Sequence, residues 1–156
     1  MAGNGLLWPA RLHHLRRDSG DPQRLARFYG KLLGDRVERL AKDEWLVRGR
    51  DRILIAGRGA PGSVPFFALA LRDAKHLASY GKQLDRLGVK RETSPSPLFA
   101  AGAFAVADPD GRRVVFGLPT KTSRDSGLPG RLQHFVCASA APDALLAFYR
   151  DTLGMR

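Results

Sequence analysis

Two hydrophobic periods alternate along this chain. From Leu12 to Arg17 apolar and polar residues mix as they do in a half-buried strand. Asp21-Pro22 then offers an N-cap and a first-turn proline. Leu25, Phe28, Leu32 and Leu33 fall at i, i+3, i+7 and i+8, which predicts a helix with one apolar stripe, and Gly34 suits the left-handed position just past its end. A strand that turns straight into a helix packing back on the sheet opens a βα unit. Three short strand-like runs follow, Arg36 to Ala41, Glu44 to Arg48 and Arg52 to Ala56, separated by turn residues such as Gly49-Arg50-Asp51. Together they make βαβββ.

A loop at 58–63, RGAPGS, separates this unit from another with the same order. Phe66 to Leu71 reads as an apolar strand, and Asp73 caps a helix whose Leu77, Tyr80, Leu84 and Leu87 share a face before Gly88. Val89 to Glu92, Leu98 to Ala107 and Arg113 to Leu118 follow as strands around the turn Pro109-Asp110-Gly111. Residues 11–118 are therefore predicted to be an α+β pair of βαβββ modules with mixed sheets and helices near 22–33 and 74–87. Residues 1–10 are a tail. Residues 119–130, PTKTSRDSGLPG, carry Pro, Gly, Ser and Thr without an apolar period and read as a linker.

Beyond the linker the chain repeats itself. Arg131 to Gly154 matches Arg11 to Gly34 at a constant offset of 120 residues, with ten identities in 24 gapless positions. They include His14 with His134, Pro22 with Pro142, Leu25 with Leu145, Phe28-Tyr29 with Phe148-Tyr149, and Leu33-Gly34 with Leu153-Gly154. The repeat predicts a second strand and helix at 131–156, the opening of a further, incomplete domain.

The pattern of a strand-borne His, then Asp-Pro or Ala-Pro, then FY-x-x-x-LG resembles the first strand and helix of the vicinal oxygen chelate superfamily. That superfamily includes glyoxalase I, bleomycin-resistance proteins and extradiol catechol dioxygenases. Asp108-Pro109-Asp110-Gly111, running on to Phe116, resembles the superfamily's last hairpin. The resemblance implies that the paired modules curve their sheets around a common cup. A domain, a linker and a second domain that opens on a strand-borne His is similar to the two-domain extradiol dioxygenases. On that reading the sequence reaches about a quarter of the way through its second domain.

The chemistry implied by the resemblance needs a divalent metal held by two His and a Glu on three strands, with open positions where a substrate chelates through adjacent oxygens. His14 stands at the first ligand position of residues 11–118, but Phe66 stands where the second His is expected and Val115 where the Glu is. No metal is expected in 11–118, and His14 reads as a histidine of the core or the cup lining. His134 holds the first-ligand position of the second domain and is the one candidate metal ligand; its partners would lie beyond Arg156. No catalytic residue is assigned. The implied function is a metal-dependent ring-cleaving dioxygenase, with Fe(II) or another divalent metal and an aromatic substrate. The alternative is a metal-free protein of the bleomycin-resistance type that binds an aromatic or antibiotic-like ligand. His13 and His76 read as surface residues, and Tyr29 and Tyr149 as packing between helix and sheet.

Composition narrows the field. A net charge of +11 invites a nucleic-acid reading, but basic and acidic side chains number 11 and 6 in residues 1–50, 8 and 4 in 51–100, and 7 and 5 in 101–156. The excess is spread evenly, without a Lys/Arg block, zinc-finger spacing or RNP-like aromatic run, so no nucleic-acid partner is expected. A single cysteine, Cys137, excludes an internal disulfide framework. No stretch approaches a membrane span, and Met1 to Pro9 lacks the basic-then-apolar pattern of a signal peptide, so a cytoplasmic setting is the expectation. The apolar faces of 131–154, from Leu132 to Leu153, need a cover, which predicts packing on a second copy in a homo-oligomer or on further polypeptide.

Overall fold

The computed structural model describes residues 7–120 and 130–155. Most of the expected tail and linker lies outside the described residues. The chain divides into two compact units, one formed by 12–67 with 130–135, the other by 7–11, 68–120 and 136–155, so that the division falls inside a strand, after Phe67. Among the described residues no helix is long and apolar enough to cross a membrane.

The first module is β1 (Ala10–Ser19), α1 (Pro22–Leu33), β2 (Arg36–Ala41), β3 (Glu44–Arg48) and β4 (Ile53–Arg58). Its strands lie in the order β2-β3-β4-β1. β2, β3 and β4 form an antiparallel meander, whereas β1 runs parallel to β4 with His14 opposite Ile53 and Arg16 opposite Ile55. The sheet is mixed, as the sequence predicts. Asp21 caps α1 by accepting from the Arg24 N–H at 2.9 Å, Pro22 opens the helix, and Gly34 closes it in the left-handed region at φ 66°.

The stripe by which α1 packs differs from the expected one. Phe28 and Leu32 are exposed, while Pro22, Ala26 and Gly30 are buried and Leu25, Tyr29 and Leu33 half-buried. Small residues win because the helix lies close on the sheet: a Cβ at Gly30 would collide with Val37. The layer beneath is Ala26, Val47 and Ala56, with Leu25, Tyr29, Val37, Trp45 and Leu54 around it.

The second module is β5 (Phe66–Leu71), α2 (Ala74–Arg86), β6 (Glu92–Thr93), β7 (Phe104–Ala107) and β8 (Arg113–Gly117), with strand order β5-β8-β7-β6. Asp73 caps α2 on the His76 N–H at 2.8 Å. Leu77, Tyr80 and Leu84 are buried as the spacing predicts, but Leu87, at the helix end, is exposed. β7 pairs Phe104 with Phe116 and Val106 with Val114, and the ring of Tyr80 meets Phe116 at 4.9 Å, so this row is the face under α2. The strand expected over 98–107 starts only at Phe104. A turn from Ala100 to Ala103, with Gly102 at φ 92°, interrupts it and leaves Phe99 a single bridge to Pro119.

In the second copy of the repeat, a helix forms but a strand does not. Residues 132–139 have no regular secondary structure: among the described residues no strand pairs with them, and one bridge joins the preceding Arg131 to Asp51. α3 (Pro142–Ala147) continues into a π-helical turn (Phe148–Thr152), and Gly154, at φ 74°, repeats the role of Gly34. Leu145 and Leu153 are buried, Leu132, Phe135 and Phe148 half-buried, and Leu146 and Val136 exposed. The expectation that cover must come from another chain or further polypeptide is corrected for the buried pair: this chain supplies it. Tyr80 donates to the Leu153 carbonyl at 2.9 Å, Trp8 Nε1 to the Gly154 carbonyl at 3.1 Å, and Tyr149 to Asp108 Oδ2 at 2.8 Å.

Asp108 is the acceptor on which that docking turns. Its carboxylate is buried and also takes the backbone N–H groups of Asp110 and Arg112, at 2.9 and 2.8 Å, with Arg112 Nε 3.1 Å away. A hydrogen bond to a charged, buried acceptor contributes about 1.5–3 kcal/mol. Tyr149→Phe should therefore loosen residues 142–155 by about that much, seen as faster amide exchange there, with β7 and β8 unchanged. Equal exchange in the two proteins would show that Tyr149 does not hold the element.

Candidate functional site

Strand alternation sorts the first module into two faces. Leu15, Leu54, Ala56, Trp45 and Val47 lie under α1. His14, Arg16 and Asp18 of β1 point the other way, beside Ile53, Ile55 and Gly57 of β4 and Glu44, Leu46 and Arg48 of β3, all in register. This is the face on which a strand-borne ligand of the implied site would stand, and His14 stands there.

His14 is fully buried. Its ring meets Phe66 edge-on at 5.9 Å and His13 edge-on at 5.0 Å, and the Nδ1 atoms of the two histidines are 2.7 Å apart, so one donates and the other accepts. Burial is the largest influence on its acidity, and electrostatic repulsion from His13 and Arg48 pushes the same way, lowering its pKa to about 3. The imidazole is neutral at ordinary pH. Further along the face, Arg16 Nε bonds Asp18 Oδ1 at 2.8 Å and its Nη1 bonds Glu44, a guanidinium shared between two carboxylates. Gly57 leaves it room, since a Cβ there would collide with the guanidinium.

These residues do not fit a divalent metal. Phe66 lies beside His14, but it offers an aromatic edge instead of a nitrogen. Arg48 adds positive charge where a cation would sit, and the second imidazole, His13, is already bonded to the first. Val115 is buried on β8, on the side away from the Phe104–Phe116 row. Among the described residues no three His, Cys, Asp or Glu side chains converge as a metal site.

His134 is exposed on the irregular stretch 132–139, with its copy of the strand absent. The chain's other histidines depart from expectation. His13 is half-buried because its ring turns to His14. His76 is buried, since in the first turn of α2 its Nδ1 folds back to accept the Arg72 N–H at 3.3 Å. Neither contact leaves a mark in the hydropathy pattern. Tyr29 and Tyr149 sit between helix and sheet in both copies, but with different partners: Arg17 Nη1 donates to Tyr29 at 3.2 Å, whereas Tyr149 donates to Asp108. Burial, then the bond to Asp108, pushes the Tyr149 hydroxyl well above its usual range, so it keeps its proton and serves as an anchor.

No family model matches the sequence, and no curated protein does. Solved structures do match. A halotolerant catechol dioxygenase aligns with 92% of this chain and 54% of its own at 18% identity, with a TM-score of 0.70. A catechol 2,3-dioxygenase aligns with 93% of this chain and 56% of its own at 17% identity and a TM-score of 0.72. Homoprotocatechuate 2,3-dioxygenase of Arthrobacter globiformis gives 94%, 50%, 18% identity and a TM-score of 0.69. The chain has the fold of the extradiol catechol dioxygenases. It spans about half the length of these structures. At such identities the likeness is one of fold.

The buried His14 makes stability depend on pH. Its folded pKa, about 3, lies below the ordinary 6.5, so the unfolded chain takes up this proton first as pH falls. The contribution is fully present above pH 6.5 and is lost towards pH 3, at up to about 1.4 kcal/mol per pH unit. Urea midpoints of the wild type should therefore fall more steeply between pH 7 and 4 than those of His14→Gln. Parallel pH profiles would mean that His14 is not held neutral.

Proposed function

We propose that this chain forms the first domain of a two-domain ring-cleaving dioxygenase of the extradiol type, acting on an aromatic substrate. Its own paired modules would hold no metal. The metal centre would belong to a second domain that opens at 131–156, with His134 as its first ligand and Fe(II) or another divalent ion as the metal. The observation that carries this reading is the extent of the match: 92–94% of this chain against 50–56% of catechol and homoprotocatechuate dioxygenases. The repeat supports it, because His134 falls at the position His14 holds on β1.

Within such a protein the residues described here have a mechanical part. The Tyr149–Asp108 and Tyr80–Leu153 bonds hold the helix of the second copy against the second module. The surplus of basic side chains would draw a phenolate or carboxylate substrate. The metal itself would supply charge stabilisation and oxygen chemistry.

The test is made on the polypeptide that carries this chain together with any second domain. Reconstitution with Fe(II) should give stoichiometric metal by elemental analysis and oxygen uptake with catechol. His134→Ala should lose both, while His14→Ala keeps its metal. Metal retained in His134→Ala, or lost in His14→Ala, would overturn the ligand assignment. Aromatic binding without metal would instead favour a metal-free binding protein.

A further inference from the structure

On the helix side of the first module, opposite the face that bears His14, α1 does not fill the space it covers. A cavity of about 180 Å³ lies between helix and sheet. Leu15, Leu54 and Val47, adjacent in register across β1, β4 and β3, form a row along its lining. Tyr29 and Leu33, one turn apart on α1, line it from above, and Leu132 closes it from the segment after Gly130. One wall is a fixed ion pair: Arg52 grips Asp35 at 2.6 and 2.8 Å, and also reaches the Leu33 carbonyl at 3.2 Å and the Gly130 carbonyl at 3.1 Å. The same arginine thus holds the end of α1 and the backbone just before the closing residue.

The polar group at this cavity whose charge is not met is Arg17. Its guanidinium donates to the Tyr29 hydroxyl at 3.2 Å, and among the described residues no carboxylate pairs with it. The space is lined largely by apolar side chains and has room for a benzene-sized guest, which an apolar space of about 150 Å³ already accepts. A guest with one ring and one anionic substituent satisfies both features, the ring against the leucines and the anion on Arg17, where a charge-assisted bond replaces a neutral one. We infer that this cavity is a binding site for a monocyclic aromatic carboxylate. The site lies within the first unit, needs no metal, and stands or falls apart from the dioxygenase reading.

The experiment titrates benzoate, and benzyl alcohol as a neutral probe of similar shape, into this chain and follows amide resonances. Benzoate should shift Leu15, Tyr29, Leu33, Leu54 and Leu132 and bind more tightly than benzyl alcohol. Arg17→Gln, a change at an exposed position, should remove that preference by weakening benzoate about tenfold. Leu54→Phe should fill the cavity and weaken both probes. Should that variant not fold, Leu132→Ala opens the closing wall at a half-buried position and should also weaken both. Shifts lying elsewhere, equal affinity for the two probes, or benzoate binding untouched by Leu54→Phe or Leu132→Ala would overturn the assignment.

Discussion

The parallel pairing of β1 with β4 is the constraint from which the first module follows. A strand that begins the module and pairs with the last of its four must have everything between them arranged as a crossover, so α1 lies across one face and the β2-β3-β4 meander runs back to β1. Register then decides chemistry. With His14 opposite Ile53 and Arg16 opposite Ile55, the histidine and the Arg16–Asp18–Glu44 cluster share the face away from the helix, and Leu15 and Arg17 share the face beneath it. A slip of one residue would exchange the two sets and bring His14 and Arg16 under α1.

Much of this was legible in the sequence because it depends on local signals. Asp21-Pro22, Asp73, Gly34 and Gly88 mark helix ends by hydrogen-bonding capacity and backbone freedom, and the helices lie between them. Strand edges were less legible, as at Leu98–Ala103, where a turn replaces the expected pairing and only a neighbouring strand could have decided the matter. The burial stripe of α1 was misread for a related reason. Hydrophobicity favoured Phe28 and Leu32, yet the separation of helix and sheet selected Ala26 and Gly30, and side-chain size matters only once that separation is known.

Of the candidate site, the position of His14 and the unsuitability of its neighbours could be read residue by residue, but its environment could not. The bond to His13 joins residues adjacent in sequence that strand alternation assigns to opposite faces, and Arg48 comes from a strand whose register no motif specifies. Together these make an imidazole that is neutral through desolvation, His13 and the positive charge of Arg48. Neutrality alone suits a metal ligand; a cationic neighbour does not. His14 is thereby a packed side chain of this face.

The two copies of the repeat show how little sequence change redirects an anchor. Tyr29 and Tyr149 occupy equivalent places on equivalent helices. Near Tyr29 the strand offers Arg17, a donor, and the hydroxyl accepts; the corresponding residue of the second copy is Cys137, and Tyr149 donates instead to Asp108. Asp108 can take that bond because the turn it begins gives one oxygen to the Asp110 and Arg112 N–H groups and leaves the other, beside Arg112 Nε, to face the helix. The hairpin that ends the second module therefore serves as the socket for the element that follows, and docking needs no strand at 132–139. Helix and socket are tied by side chains that burial holds in place, which is why the helix of the second copy is formed while its strand is not.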